Sequence, residues 1–384
     1  MNFLGFGADM VGLIGWYILP FVLILSVVVF FHELGHYLVG RWCGVKIDAF
    51  SLGFGPELYA RVDKHGTRWR LALMPLGGYV KFYGDASPAS TPDIAAFEQM
   101  PVVERHQTLA GQSVGKRAAI VAAGPIANFL LALVIFTTMF AFFGRYSLAP
   151  RIGGVEVGSP AAGAGFKPGD LVKTANGERI ATFEDLHTAI SGSTGLPMVF
   201  TVEREGTDIT IAATPTIALI DLPPFGKRRL GRLGLYQSKD PADQRFETCG
   251  LPLCVVWSVE ETWSTVKQTG AYVSGLIAGR ESTDQISGPI GVAQVAGTVA
   301  KISRLALFNL AALFSVSVGL MNLLPIPLLD GGHLLFYAIE AVRGRPLSER
   351  IQEIGLRVGI AIVAMLVLFT TSHDILRLVI GGSG

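Results

Sequence analysis

The chain has 384 residues, of which half are hydrophobic and only 16% are charged, and its mean hydropathy is +0.48. These values exclude an ordinary soluble protein and indicate an integral membrane protein with room for two or three domains. The formal net charge is +1 and no basic stretch is interleaved with aromatic residues, so a nucleic-acid partner is excluded as well.

The first apolar run, Val11 to Phe31, is interpreted as a membrane span and not as a signal peptide. Residues 1–10 contain no Lys or Arg, and the run is longer than the hydrophobic region of a signal peptide. We therefore expect it to remain in the mature protein.

This run ends in the sequence His32-Glu33-Leu34-Gly35-His36. On a helix, His32 and His36 share a face, which is the spacing at which two imidazoles bind one zinc ion while Glu33 acts on a bound water. The same spacing also arises by chance. Because each ionisable group in hydrocarbon costs about 2.5–3.5 kcal/mol on insertion scales, a cluster at this position favours function.

Four stretches are long and apolar enough to cross a bilayer about 30 Å thick. We place them near 12–40, 118–143, 305–329 and 354–379. Lys and Arg are concentrated between the first two spans and between the last two, which predicts that both loops are cytoplasmic and both termini lie outside. The carboxyl-terminal ends of the first and third spans then lie at similar depth near the cytoplasmic face.

The loop after the first span contains a predicted β-hairpin. Polar and apolar residues roughly alternate from Phe50 to Val62 and from Arg68 to Met74, on either side of a glycine-containing turn, and another short strand is predicted from Pro75 to Phe82. Its edge could take up an extended substrate as an added strand, or the hairpin could be merely structural. The polar, proline-containing residues 84–112 predict a mobile cytoplasmic loop.

The second span carries Gly124-Pro125-Ile126-Ala127-Asn128-Phe129. Glycine and proline here predict close helix packing and a kink, and Asn128 is interpreted as an interhelical hydrogen-bonding residue in preference to a catalytic one.

Residues 150–216 have the character of a small soluble domain. We predict strands at Ile152–Val155 and Leu171–Ala175, a turn at Asn176-Gly177, a helix over about 182–191, and two strands across Met198–Arg204 and Asp208–Ala213. This order, with SPAA, PGD and NG in place, resembles a bacterial, permuted PDZ domain.

Residues 217–286 contain a predicted amphipathic helix around Val255–Ile277 that could lie on the membrane surface. Cys249 and Cys254 could pair in an oxidising compartment or be two unrelated thiols. With Cys43 they are too few for a disulfide framework or a CxxC-type metal site. The glycine- and proline-broken run Ser287–Ala293 is interpreted as a possible re-entrant segment.

The third span ends in the sequence NLLPIPLLDGGH, which runs from Asn322 to His333. Pro325 and Pro327 cannot donate backbone hydrogen bonds and should break the span just before Asp330. Catalytic zinc commonly takes three protein ligands and a water, so Asp330 is the expected third ligand. His333 is a rival ligand, a partner of a ligand or an interfacial histidine, and Asn322 either holds substrate or caps the helix.

Taken together, HELGH, GPIANF, the PDZ-like insert, SGPIGVA and NLLPIPLLDGGH resemble the site-2 protease family of intramembrane zinc metalloproteases. The resemblance covers nearly the whole chain and is closest to the bacterial RseP-type branch, although the enterobacterial RseP type has tandem PDZ domains and only one is found here.

The resemblance implies zinc held by His32, His36 and Asp330, with Glu33 as the base. It implies substrate contacts from Asn322 and from the loop around 52–83, within which we select Gly53, Gly55 and Tyr79. The implied substrate is a single-pass membrane protein, such as an anti-sigma factor or a signal-peptide remnant, usually already cut once by another protease. The implied location is the bacterial inner membrane, with the active site towards the cytoplasm and the PDZ domain in the periplasm, where it could bind a peptide or another ligand.

We therefore expect an α-helical polytopic membrane protein with about four transmembrane helices, a cytoplasmic membrane-associated β-hairpin region and an inserted soluble α+β PDZ domain. The expected divisions are the first half of the core (1–149), the PDZ domain (150–216), a linker region (217–304) and the second half of the core (305–384). One alternative is a membrane scaffold or chaperone with a structural metal, for which His333 would complete a closed coordination sphere. A metal transporter would need ligands along several spans, and the sequence shows one cluster.

Overall fold

The structure is a computed structural model that describes residues 14–85, 97, 99–193, 195–221, 227–277 and 288–381. The helices are α1 (Leu19–Trp42), α2 (Val102–Arg105), α3 (Val114–Phe143), α4 (Pro160–Ala164), α5 (Phe183–Ser191), α6 (Leu251–Ile277), α7 (Pro289–Ile302), α8 (Arg304–Asn322), α9 (Asp330–Arg343) and α10 (Glu349–Gly381). The strands are β1 (Ile47–Val62), β2 (Arg68–Phe82), β3 (Arg145–Leu148), β4 (Ile152–Val155), β5 (Leu171–Ala175), β6 (Glu178–Arg179), β7 (Met198–Arg204), β8 (Thr207–Ala213), β9 (Thr216–Asp221), β10 (Lys227–Arg232), β11 (Leu235–Gln237) and β12 (Gln244–Glu247).

The chain forms two compact units. One comprises residues 1–137, 255–270 and 288–384, and the other comprises residues 138–254 and 271–287. The first is mainly helical and carries the candidate site. The second is mainly β-structure.

Four helical segments in the described part of the chain are long and apolar enough to cross a membrane: Gly15–Trp42, Val114–Phe143, Arg304–Asn322 and Arg350–Leu376. They correspond to the four predicted spans. The third ends at Asn322 and not at residue 329, because the stretch with Pro325 and Pro327 leaves the helix earlier than predicted.

Helices α1 and α3 pack closely through small residues. A β-carbon at Gly35 would overlap the carbonyl oxygen of Ala123 and would lie 2.8 Å from the Ala127 side chain. Pro125 lies inside α3. Farther along the same helices, Ile24, Val28 and Leu131 form a buried cluster with Ala296 of α7.

Strands β1 and β2 form an antiparallel, strongly bent hairpin against α1. Phe50 pairs with Trp69 on one side and with Val80 on the other, so the start of β1 lies between the two ends of β2. The predicted short strand after Pro75 is therefore the continuation of β2, and it pairs with β1 on one side. At the turn, Asp63 accepts hydrogen bonds from the N–H groups of His65 and Thr67 at 2.8 and 3.0 Å.

The second unit contains a four-stranded sheet of order β6-β5-β7-β8, with α5 covering its core. The turn at Asn176-Gly177 has positive φ at both residues, as the sequence predicts. Helix α5 begins with a capping box between Thr182 and Asp185. The unit also includes strands beyond the predicted 150–216, since β11 pairs with β4 and Leu233 is in the core.

The structure resolves one open interpretation of the sequence, since Cys249 and Cys254 form a disulfide at the start of α6. In the run Ser287–Ala293, residues from Pro289 onward belong to α7, which continues to Ile302, and the re-entrant interpretation stays a prediction. In the predicted mobile loop, residues 86–96 and 98 lie outside the described part of the chain.

Candidate metal centre

Three potential metal ligands converge at the ends of two apolar helices. His32 and His36 lie on one face of α1, and Asp330 is the first residue of α9. The Nε2 atoms of the two histidines are 3.2 Å apart, and the Asp330 carboxylate lies 3.1 Å from His32 Nε2 and 3.6 Å from His36 Nε2. Within the described residues this is the group of His, Cys, Asp and Glu side chains that could hold a metal ion.

The donor set fits zinc. Two imidazole nitrogens and one carboxylate oxygen are the ligands of many catalytic zinc sites, which keep a further position for water or substrate. Both Nε2 atoms and the carboxylate face a common point, and Asp330 Oδ2 is buried with His32 Nε2 at 3.1 Å. Burial alone would raise the pKa of Asp330, but the two adjacent histidines hold it below its ordinary value, so the carboxylate is ionised.

Each imidazole is oriented by a contact from α3. His36 Nδ1 donates to the carbonyl oxygen of Ile120 at 2.9 Å, which leaves Nε2 with its lone pair facing the metal position. The amide of Asn128 lies 3.2 Å from His32 Nδ1, and Asn128 is fully buried. Its backbone carbonyl accepts a hydrogen bond from Ser315 at 2.7 Å, so α1, α3 and α8 are tied together at this residue.

Gly124 makes room for the two rings. A β-carbon at this position would overlap His36 Nε2 and would lie 2.8 Å from His32 Cε1. The sequence analysis predicts close packing around Gly124 and an interhelical hydrogen bond from Asn128, but it does not connect either residue with the metal ligands. The sequence feature that could have connected them is the presence of GPIAN in the second span together with HExxH in the first.

The broken third span positions Asp330. Between the end of α8 at Asn322 and the start of α9, Leu328 has a positive φ of 111°. A β-carbon at Gly331 would overlap the carbonyl oxygens of Leu323 and Leu324, so this position allows the connection to fold back on itself. As a result, the carboxylate enters the site at the amino-terminal end of α9.

A cavity of about 200 Å³ opens beside the three ligands. Its lining residues come from α1, β2, α3, the end of α8, the connection that follows it and α9: His32, Glu33, His36, Gly78, Tyr79, Val80, Phe82, Val121, Asn322, Leu328, Leu329, Asp330, His333 and Tyr337. A β-carbon at Gly78 would lie 3.1 Å from Cγ of Glu33, so the end of β2 lies directly beside this side chain.

The sequence-predicted substrate residues divide into two groups. Asn322 and Tyr79 line the cavity, whereas Gly53 and Gly55 do not belong to its lining. These two glycines lie in the irregular middle of β1 with φ of 91° and 88°. Phe54 between them stacks on Tyr79, whose hydroxyl accepts a hydrogen bond from Arg70 at 2.7 Å. His333 lines the cavity but is not one of the three clustered ligands.

The sequence pattern of Peptidase family M50 matches residues 20–366, which include every element of this site. The chain belongs to the M50, or site-2, metalloprotease family. A relative from Agrobacterium fabrum that is named as a zinc metalloprotease is 45% identical over 96% of this chain and 98% of its own length. Metalloprotease MmpA of Caulobacter vibrioides is 39% identical over 92% of this chain and 94% of its own length.

The M50 protein is therefore a zinc metallopeptidase with several membrane-spanning helices, as the sequence predicts. Zinc is its cofactor. A relative from Rickettsia conorii, 34% identical over 94% of this chain, carries a zinc metalloprotease name as well.

Proposed function

We propose that this M50 protein is an intramembrane endopeptidase that hydrolyses a peptide bond of single-pass membrane proteins near the cytoplasmic face. The observation that carries the proposal is the convergence of His32, His36 and Asp330 on one point at the ends of two apolar helices, with Glu33 in the same cavity. A protease that cleaves only soluble substrates does not require an active site at the ends of membrane-length apolar helices.

In this proposal His32, His36 and Asp330 hold the zinc ion, which when bound supplies Lewis-acid polarisation of the peptide carbonyl and lowers the pKa of water towards about 7. Glu33 accepts a proton from the attacking water and returns it to the leaving amine. Ile120 and Asn128 keep the two rings in position during this cycle. The cavity beside Glu33 admits the water that hydrolysis consumes.

The substrate must be extended before it is cleaved, because a helix hides its carbonyl groups within hydrogen bonds. The end of β2, from Gly78 to Phe82, pairs with β1 on one side and lines the cavity. We propose that substrate adds to its other side as a strand, with Asn322 and Tyr79 contacting it inside the cavity and Gly53 and Gly55 shaping the bend of β1.

We further propose that the β-rich unit contains a PDZ domain that binds a peptide or another ligand outside the cytoplasm and gates access to the site. Two observations support this: the order of β4, β5, α5, β7 and β8 agrees with the predicted domain, and the disulfide between Cys249 and Cys254 is typical of an oxidising compartment. The proposed location is the bacterial inner membrane, with both termini outside and the substrate already cut once by another protease.

The scaffold alternative with a closed structural metal has less support. His333 would have to be a fourth ligand, but the clustered potential ligands among the described residues are three, which leaves a coordination position open.

Glu33→Gln tests the proposed function. We expect the variant to retain zinc and folding, since the amide is isosteric with the carboxylate, and to lose cleavage of a membrane-embedded substrate because no group accepts the proton. The measurements are zinc content by mass spectrometry and capture of the uncleaved substrate in the native membrane. Glu353→Gln, at an exposed position of α10, is the control. Undiminished cleavage by Glu33→Gln would contradict the proposal.

A further inference from the structure

Tyr337 is a cavity residue to which neither the sequence motifs nor the proposed function assigns a role. It lies seven residues after Asp330 on α9, a spacing that places Asp330, His333 and Tyr337 on one face of the helix. All three line the cavity that also contains Glu33. The phenol is therefore part of the space in which a peptide would be hydrolysed.

Arg117, from the first turn of α3, holds this phenol from one side. Its guanidinium carbon lies 4.9 Å from the centre of the Tyr337 ring, so the cation covers the face of the ring. Arg117 also forms a little-exposed ion pair with Glu340, 2.5 Å between Nη2 and Oε1. Because Glu340 follows Tyr337 by three residues on α9, Arg117 fixes both side chains against α3.

A guanidinium donates hydrogen bonds and cannot accept them. Towards Arg117, the Tyr337 oxygen can therefore act only as an acceptor, and the phenol proton must be given to another group. The carboxylates of Asp85 and Glu340 also act on the phenol, but neither lines the cavity. Inside the cavity, a bound peptide would present its carbonyl oxygen as an acceptor.

The protonation of the phenol agrees with a donor role. Burial raises the pKa of Tyr337 to about 12, against an opposing effect of Arg117. The hydroxyl thus keeps its proton at any physiological pH, and its charge state does not change during a reaction near neutral pH.

We propose that Tyr337 is a further catalytic residue of this protein, donating a hydrogen bond to the carbonyl oxygen of the scissile peptide, and that Arg117 is its positioning residue. This assignment rests on the proposed peptidase function. As water forms a bond to the carbonyl carbon, the π electron pair moves to the oxygen and Glu33 takes the water proton. Tyr337 stabilises the negative oxygen and keeps its own proton. When the C–N bond breaks, the electron pair returns to the carbonyl and Glu33 protonates the amine.

Tyr337→Phe tests the assignment, since it removes the hydroxyl and retains the ring under Arg117. The assay uses the full-length zinc-loaded protein in detergent and two synthetic peptides with the sequence of the substrate captured by Glu33→Gln. One carries the scissile amide and the other a phosphinate in its place, which mimics the tetrahedral oxyanion. We expect phosphinate affinity to fall about 10–100-fold, because a hydrogen bond to a charged group contributes about 1.5–3 kcal/mol.

Affinity for the amide peptide should stay within about twofold. The kcat should fall about 100–1,000-fold with KM unchanged, because this is the typical effect of removing one hydrogen-bond donor to an oxyanion that forms in the transition state. Zinc content and the melting temperature should equal those of the parent. Tyr17→Phe is a matched control, since the Tyr17 hydroxyl also accepts from a cation, Lys301 Nζ at 2.9 Å, but does not line the cavity.

Equal loss of affinity for the two peptides, or an unchanged kcat, would overturn the role of Tyr337 while leaving the peptidase function intact. A parent protein that cleaves no membrane-embedded peptide would overturn the proposed function, and this assignment with it.

Discussion

At the scale of single residues, the metal centre depends on small groups as much as on its ligands. The three ligand side chains can meet only because Gly124 leaves the space that the His32 and His36 rings occupy. Ile120 and Asn128 then orient those rings through their Nδ1 atoms. Partners of this kind commonly change metal affinity about 10–100-fold when they are lost.

Gly124→Ala should therefore lower zinc affinity by at least about tenfold, because the added methyl group overlaps the metal-facing nitrogen of His36. Competition with a fluorescent zinc chelator measures this change. Gly115→Ala is the matched control, since it makes the same substitution in α3 at a position where the methyl group meets nothing within 4 Å. Wild-type zinc affinity in Gly124→Ala would show that the rings have room to move.

At the scale of secondary-structure elements, α7 is held at its amino-terminal end by a residue from another helix. Asp374 of α10 is 3% exposed and accepts hydrogen bonds from the N–H groups of Gly288 and Gly291 at 3.1 and 2.8 Å. This carboxylate satisfies two of the donors that a helix leaves free at its start and suits the positive end of the helix dipole. Gly288 permits the approach, because a β-carbon there would lie 2.7 Å from the carboxylate.

Asp374→Ala should reduce stability by about 1–3 kcal/mol, since it removes a cap and leaves two N–H groups, one buried and one partly buried, without these partners. Thermal unfolding of the detergent-solubilised protein, followed by far-ultraviolet circular dichroism, measures the loss. Ser372→Ala on the same helix is the control, because this exposed hydroxyl donates to the backbone carbonyl of Phe369 within α10. Equal melting temperatures for the two variants would contradict the capping role.

At the scale of the whole molecule, the proposed orientation places Cys43 on one side of the membrane and the pair Cys249 and Cys254 on the other. Cys43 caps the carboxyl-terminal end of α1 and is a free thiol, whereas Cys249 and Cys254 are paired. Positive charge follows Cys43 in the loop between the first two spans, which favours the cytoplasm for that loop. A disulfide is stable on the other, oxidising side.

We expect a membrane-impermeant maleimide to label Cys43 in spheroplasts only after the membrane is opened. Cys249 should be labelled from outside once a reductant has opened its disulfide with Cys254, and not before, whereas Cys254 is fully buried and should stay unlabelled in the folded protein. Mass spectrometry of the purified protein locates the label, with Cys43→Ser as the control for specificity. Labelling of Cys43 in intact spheroplasts would reverse the proposed orientation.

The local sequence was sufficient to predict much of this protein. Long apolar runs located the four spanning-length helices, because burying backbone in hydrocarbon requires about 20 consecutive apolar residues. Turn residues such as Asn176-Gly177 located strands and turns of the β-rich unit, because few residues tolerate a positive φ. The pair His32 and His36 indicated zinc, because four residues separate neighbours on a helix face.

Contacts between distant segments could be decided only by the tertiary structure. The sequence named Gly124 and Asn128 as packing residues, but only the fold brings them against His32 and His36. It left the state of Cys249 and Cys254 open, and it did not single out Tyr337, which the fold places beside Glu33 and under Arg117. The physical reason is that a periodic pattern determines which side of an element is apolar, whereas the partner of a buried polar group depends on which elements pack together.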